Sequence, residues 1–256
     1  MNPRIRTAAG NIINKMRATY GKPLTRVPAA EADFRNLDLA MYRRTAREME
    51  AAGFAWLCVY AIREVSESPT TLLAPTFIRA WIMGAEGIVG SYYQKRARWG
   101  RLATKLRVGL ANGRLFDTPA FVFKAAMPRH CIEFSSEFAD GSFVTTSNAE
   151  AAESIGMPPQ LERKFHRYGT SAGTLLQDHH ARIAAASQAR GGARPLAMAA
   201  AEDLHAMLDR EGAVKRDHRA AIGWITHAEL LKMSKGKPEL ADAIYAEIRT
   251  LLREGY

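Results

Sequence analysis

The segment at residues 130–146 constrains the fold more than any other part of the chain. Over residues 130–138, Ile132, Phe134 and Phe138 alternate with polar side chains, and a period of two is typical of a β-strand with one buried face. The sequence Ala-Asp-Gly-Ser follows at residues 139–142 and predicts a tight turn, because Asp and Gly both tolerate positive φ. We therefore predict an antiparallel hairpin that returns through residues 143–146. Its polar strand face, with Glu133, Ser135 and Glu137, is expected to face water.

Further short strands are predicted on either side of this hairpin. Aromatic and β-branched residues concentrate in residues 54–62, 76–85 and 87–93, and such residues favour strands. A Gly-Ala-Glu-Gly turn at residues 84–87 joins two of these segments, and residues 119–125 form another candidate. The total is five or six short strands.

Helical periodicity precedes and follows the strands. Residues 33–52 place Phe34, Leu37, Met41, Thr45 and Met49 on one side of a helix. Helices are also predicted in residues 171–190 and 196–211, from a capping box at Thr226 and Glu229, and around the apolar stripe of residues 240–251.

This order of elements predicts an α+β fold. An N-terminal amphipathic helix comes first, then an antiparallel sheet joined by hairpins, then about four C-terminal helices. We predict a basic N-terminal tail or short surface helix at residues 1–30 and an α+β domain at residues 31–190. Residues 191–256 would be a helical extension, either separate or packed on the same core.

The charge of the chain is concentrated in two segments. There are 36 Lys and Arg residues against 26 Asp and Glu residues, which gives a formal net charge of +10. Residues 1–26 contain six basic residues and no acidic residue, and residues 79–114 contain eight basic residues and one acidic residue. An electrostatic function would therefore belong to these segments.

The second segment contains the strongest binding pattern, at residues 92–107. Basic and aromatic residues alternate there, as expected of a surface that contacts phosphates and stacks on bases. The candidate contacts for an anionic partner are Tyr93, Lys95, Arg96, Arg98, Trp99, Arg101, Lys105 and Arg107. The partner would be a nucleic acid, an acidic protein or an anionic membrane surface. A strand that runs into a solvated basic loop, with its aromatic residues in the core, explains the same pattern.

Sequence also bears on the compartment. No apolar stretch reaches the roughly 20 residues of a transmembrane helix, and we find no signal-peptide pattern. Two cysteines far apart in the sequence are typical of a reducing cytoplasm. Residues 1–26, which carry isoleucines among basic residues, could attach the protein peripherally to an anionic membrane, or could form a disordered tail.

Four residues are candidates for acid–base catalysis: His179, His180, Glu133 and Asp140. Each has a structural alternative, because His179 lies on an apolar helix stripe, Glu133 on a strand and Asp140 in a turn. The motifs of the common nucleotide-binding, zinc and hydrolase sites are not found in the sequence. We therefore predict no metal site and no cofactor.

The sequence favours a binding protein or adaptor over an enzyme. Its primary surface would be residues 92–107. The alternatives are a small apolar ligand held in a cavity between the helix at residues 33–52 and the sheet, or an enzyme of unrecognised type that uses the four candidates above.

Overall fold

The computed structural model describes residues 3–67, 74–98, 100, 103–104, 107, 129–149, 155–234 and 236–256. The predicted strand at residues 119–125 lies outside these residues. The strands are β1 (Arg26–Pro28), β2 (Ala55–Ile62), β3 (Phe77–Met83), β4 (Ile88–Lys95), β5 (Arg129–Glu137), β6 (Phe143–Ser147) and β7 (Leu161–Phe165). The α-helices are α1 (Pro3–Tyr20), α2 (Leu39–Ala51), α3 (Arg63–Glu67), α4 (Ala172–Ala189), α5 (Ala201–Ala221), α6 (His227–Met233) and α7 (Pro238–Arg253).

The strands form one sheet in chain order, β1 to β7, and each strand from β1 to β5 pairs antiparallel with the next. The turn between β5 and β6 is the one predicted: Gly141 has φ of +77°, and the Asp140 carboxylate accepts a hydrogen bond from the Ser142 amide. The mixed helix and sheet architecture with an N-terminal helix is therefore confirmed.

The described part of the chain has seven strands, not five or six. β1 and β7 were not predicted as strands, because β1 has three residues and β7 (LERKF) has charged residues at its centre. Neither carries an alternating apolar pattern, so their pairing comes from the neighbouring strand and not from local preference.

Helices α2 and α4 cover one face of the sheet. Their core includes Met49 and Leu175 from the helices and Phe134 from β5. Gly90 of β4 lies opposite Phe134, and a Cβ atom at Gly90 would come within 3.2–3.4 Å of Phe134, Phe54 and Met49. The missing side chain therefore makes room for the aromatic rings beneath the helices.

The opposite face of β5 does not face water as predicted. Ser135 and Glu137 are only 8% and 2% exposed. The chain after α4 joins the sheet beside β5, where the Leu196 amide donates to the Glu137 carbonyl at 2.7 Å and the Met198 amide to the Gly84 carbonyl at 3.2 Å. It then continues to His205, which packs against the Tyr60 ring on the face opposite α2 and α4. Periodicity located the two faces of the strand correctly, but it contains no information about a later segment that covers the polar one.

The chain divides into two compact units. One comprises Met1–Pro23, Ala151–Leu161 and Met207–Tyr256, and the other comprises Leu24–Glu150 and Glu162–Ala206. Both units are discontinuous in sequence, whereas the ranges predicted from the sequence are consecutive. The ranges 1–30, 31–190 and 191–256 stay a prediction about which parts fold separately.

In the first unit, α1 packs against the C-terminal helices. Ile13 is buried with Ile225 and Ile248, and Ile5 and Ile12 pack on the same cluster. Residues 3–20 are therefore a helix, and the isoleucines that could insert into a membrane already have protein partners. No helix in the described residues is long and apolar enough to cross a bilayer.

A buried ion pair ties the same unit together. Arg219 donates to both carboxylate oxygens of Glu229, at 2.8 and 3.0 Å. Glu229 also accepts from the amides of Thr226 and Gly156, and the Thr226 hydroxyl accepts from the Glu229 amide. The capping box predicted at Thr226 is therefore confirmed, and its glutamate also neutralises a buried arginine.

Candidate functional site in the groove between helix and sheet

The four catalytic candidates do not form one cluster. Glu133 of β5 pairs with Arg163, Asp140 pairs with Arg190 in the hairpin turn, and His180 lies 3.5 Å from Glu86. His179, the sequence neighbour of His180, is buried in the core instead. Within the described residues, no group of three or more His, Cys, Asp or Glu side chains is arranged to hold a metal ion.

His179 occupies a closed polar cluster between α4 and the sheet. It is 0% exposed, with Nδ1 3.0 Å from the Thr146 hydroxyl and Nε2 3.2 Å from the Ser136 hydroxyl. Arg182 donates to Thr146 at 2.8 Å, so the Thr146 hydroxyl is hydrogen-bonded to both Arg182 and His179. Burial, with the nearby Arg182 and His180, lowers the pKa of His179 to about 3. The ring is neutral near pH 7 and holds the helix on β5 and β6.

The predicted anionic-partner residues are also divided. Tyr93 lies on the opposite face of β4 from Tyr92, and burial raises its pKa well above the usual value. Lys95 lies over the Tyr93 ring, and Arg98 donates to the Ser66 carbonyl at 2.6 Å. Arg96 is half-buried and Arg107 is exposed. Trp99, Arg101 and Lys105 lie outside the described residues.

Within the described residues, a groove lies between α2 and the beginning of α4, above β4 and β5. It contains two cavities of about 330 and 250 Å³. Glu48, Ser171 and Ala172 line both of them, so the cavities adjoin. Ser171 is the N-cap of α4 and accepts a hydrogen bond from the Thr174 amide, which fixes where this wall of the groove begins.

The larger cavity is apolar. Met49 and Phe134, both in the hydrophobic core, form its floor. Ala52, Ala172 and Leu176 contribute further apolar lining, and Glu48 is its only charged residue. We call it the apolar cavity.

The smaller cavity is rich in hydroxyl and amide groups, and we call it the polar cavity. Thr45 of α2, Tyr92 of β4, His130 of β5, Asn148 and Tyr168 all line it. Tyr92 Oη is hydrogen-bonded to His130 Nδ1, and Tyr168 Oη accepts from the His130 amide at 2.8 Å. Burial raises the pKa of Tyr92 and lowers that of His130, so both groups are uncharged near pH 7.

The walls of the polar cavity are held rigidly. The Asn148 side-chain oxygen accepts from the Ile132 amide at 2.8 Å, and its nitrogen donates to the Thr170 carbonyl at 3.3 Å. Beneath the cavity, Tyr42 donates to the Phe77 carbonyl at 2.9 Å and accepts from the Gln94 amide at 3.1 Å. Burial raises the pKa of Tyr42 to about 12. The side chains of Asn148 and Tyr42 therefore stabilise the fold around the cavity.

Sequence reasoning missed most of this site. In the sequence, His130 is simply the first residue of a predicted strand and Tyr92 the first residue of the basic and aromatic segment 92–107, so neither position indicates a ligand cavity. Thr45 gave the one usable signal, since it is a hydroxyl residue within the apolar stripe of α2. Comparison of the chain with protein families, with curated proteins and with solved structures gives no match.

Proposed function

We propose that this protein binds a small amphipathic molecule in the groove between α2 and α4. The observation that carries the proposal is the pairing of an apolar cavity with an adjoining polar one on a rigid sheet. Ligand sites in proteins are typically concave, largely apolar and supplied with a few placed polar groups, with volumes from about 300 Å³ upward. The apolar part of the ligand would lie on Met49 and Phe134, and its polar end would face Tyr92 and Thr45.

The groove favours binding over catalysis. Of the groups in it that could transfer a proton, Glu48 is paired with Arg44 at 3.0 Å and Tyr168 accepts from the His130 amide. His130 and Tyr92 are bonded to each other. Burial disfavours the charged form of both side chains. A proton-transfer catalyst would need a group whose pKa lies near the working pH.

The test is to fill the apolar cavity and measure binding of a hydrocarbon probe, butylbenzene, by isothermal titration calorimetry. Gly173 lines the cavity at the second position of α4, and a Cβ atom there would meet nothing within 4 Å. Gly173→Trp therefore places a large side chain at the edge of the cavity without a clash at Cβ, and we expect the indole to cover the apolar lining. We expect wild type to bind butylbenzene and the variant to lose at least about tenfold in affinity, which corresponds to about 1.4 kcal/mol.

Gly212→Trp is the matched control. Gly212 is also helical, in α5, and has equally open space around its Cβ position, but it does not line either cavity. Its affinity should remain within twofold of wild type. Equal affinity of wild type and Gly173→Trp, or no binding by wild type, would overturn the proposal.

An anionic partner at residues 92–107 is a second candidate. Within the described residues, Lys95 and Arg96 at the end of β4 have no carboxylate within salt-bridge distance, so both charges are available to a partner. Titration with a single-stranded oligonucleotide and with anionic vesicles, each at two salt concentrations, tests it. Binding that weakens as salt rises is expected, and no binding at low salt to either probe would contradict it.

A further inference from the structure

The orientation of Gln94 decides which nitrogen of His130 carries the proton. Gln94 is buried, and its Oε1 accepts a hydrogen bond from the Asp38 amide at 3.0 Å. Its Nε2 is therefore the atom that faces His130 Nε2, at 3.4 Å. An amide nitrogen only donates, so His130 Nε2 is the acceptor, and the neutral ring carries its proton on Nδ1.

This assignment gives Tyr92 a free donor. His130 Nδ1 donates to the Tyr92 hydroxyl oxygen, which leaves the phenolic proton for another acceptor. Tyr92 is 0% exposed and lines the polar cavity. Within the described residues, its hydroxyl makes no hydrogen bond other than the one to His130. The series of hydrogen bonds from Gln94 through His130 therefore ends at the Tyr92 hydroxyl, which can donate a hydrogen bond into the polar cavity.

Thr45 provides a second, independent group. It is 2% exposed and lines the same cavity from α2. Its hydroxyl forms no hydrogen bond to any residue that the structure describes. Thr45 Oγ1 is not among the fully buried atoms that lack a partner in the described residues, so its hydroxyl is open to the cavity. A ligand oxygen in the cavity would therefore have the hydroxyls of both Thr45 and Tyr92 available as donors.

The charge around the cavity distinguishes between possible acceptors. Arg44 is the only permanent cation among the residues that line it, and Glu48 neutralises Arg44 at 3.0 Å. Asp38 lies close enough to Tyr92 to oppose a second negative charge there. A carboxylate would have to be desolvated without a free counter-charge, which is costly, whereas an uncharged oxygen acceptor needs only donors.

We infer that the polar cavity binds the carbonyl oxygen of an uncharged ligand, such as a ketone, aldehyde or ester, through the hydroxyls of Tyr92 and Thr45. The apolar remainder of the ligand lies in the apolar cavity. This inference rests on the proposed function and specifies the ligand class for that site.

The experiment uses three probes of similar shape: 4-phenyl-2-butanone, butylbenzene and 4-phenylbutanoate. Affinities for wild type, Tyr92→Phe and Thr45→Val are measured by isothermal titration calorimetry. Each variant should weaken ketone binding about fivefold, which corresponds to the roughly 1 kcal/mol of a typical hydrogen bond. Binding of butylbenzene should stay within twofold of wild type, and the carboxylate should bind wild type at least tenfold more weakly than the ketone.

Tyr93→Phe is the matched control, since the same hydroxyl is removed one residue away on the opposite face of β4. It should leave all three affinities within twofold. A carbonyl ¹³C label on the ketone gives a direct signature: its bound resonance in wild type should lie downfield of that in Tyr92→Phe.

The outcomes separate the two proposals. If butylbenzene binds but neither variant weakens the ketone selectively, the carbonyl inference is wrong and the binding groove stands. The same conclusion follows if the carboxylate binds as tightly as the ketone. If none of the probes binds wild type, both proposals are wrong.

Discussion

Two histidines lie against the same face of the sheet and have opposite surroundings. His179 is hydrogen-bonded to the Ser136 and Thr146 hydroxyls inside the core, where neither cavity reaches it. His130 accepts at one nitrogen and donates at the other, and its last hydrogen bond is to Tyr92, which lines a cavity. Both rings are neutral because of burial. The hydroxyls bonded to His179 lie in packed protein, whereas the Tyr92 hydroxyl bonded to His130 lies beside a cavity. This difference distinguishes a structural histidine from one in a candidate binding site.

The largest expected effect is the loss of the closed cluster. His179→Leu removes two hydrogen bonds and leaves the Thr146 and Ser136 hydroxyls buried without this partner. We expect the free energy of unfolding to fall by about 2–4 kcal/mol, measured by urea denaturation with an unchanged m-value. His130→Leu should lower the free energy of unfolding by less, because His130 lines the polar cavity and is not packed against protein on every side. Equal losses for both variants would remove the distinction between the clusters.

Lowering the pH tests the His179 cluster, because burial keeps the His179 imidazole unprotonated in the folded protein. The pKa of His179 is about 3 in the folded protein, against about 6.5 in an unfolded chain. Between these two pKa values the unfolded state binds one more proton than the folded state. The contribution of His179 to the free energy of unfolding is therefore fully present above about pH 6.5 and is lost as the pH drops toward 3.

The expected slope from His179 alone is about 1.4 kcal/mol per pH unit between about pH 6 and pH 4. The groups that act on this imidazole are Arg182, His180 and Asp178. His179→Asn should reduce this slope by about 1.4 kcal/mol per pH unit, because one proton fewer is taken up on unfolding. Urea unfolding at successive pH values measures the slope. An unchanged slope would show that His179 becomes protonated without unfolding the core.

The smallest effect compares two threonines directly. Thr146→Val removes a hydroxyl that is bonded to both His179 and Arg182, and we expect a loss of about 1–2 kcal/mol. Thr45→Val removes a hydroxyl with no partner in the described protein, and stability should change by no more than about 0.5 kcal/mol. Thermal unfolding of the two variants measures the difference. A loss at Thr45 as large as that at Thr146 would mean that the Thr45 hydroxyl is structural.

Local sequence patterns predicted much of the scaffold. The apolar stripe of α2, the Asp-Gly hairpin and the Thr226 capping box depend on residues within a few positions of each other, where periodicity and turn stereochemistry are decisive. The short strands β1 and β7 lack such patterns. The burial of Ser135 and Glu137 depends on the segment around Leu196, about 60 residues further along the chain, and was therefore predicted wrongly.

The candidate site could not be predicted in the same way. Thr45, Tyr92, His130 and Asn148 come from four separate segments, and each has an ordinary structural explanation when considered alone. The tautomer of His130 depends on Gln94, whose orientation in turn depends on the Asp38 amide. No spacing in the sequence records these relations.

The sequence by itself determined the alternating strands, the helix stripe and the order of elements, because backbone stereochemistry and burial of one face act over short distances. Only the tertiary structure decided which polar groups are enclosed by other protein groups and which face a cavity. The hydrogen bonds of His179 and His130 differ through partners brought together by strand register and helix packing, and a ligand site exists only where that packing leaves donors beside unfilled space.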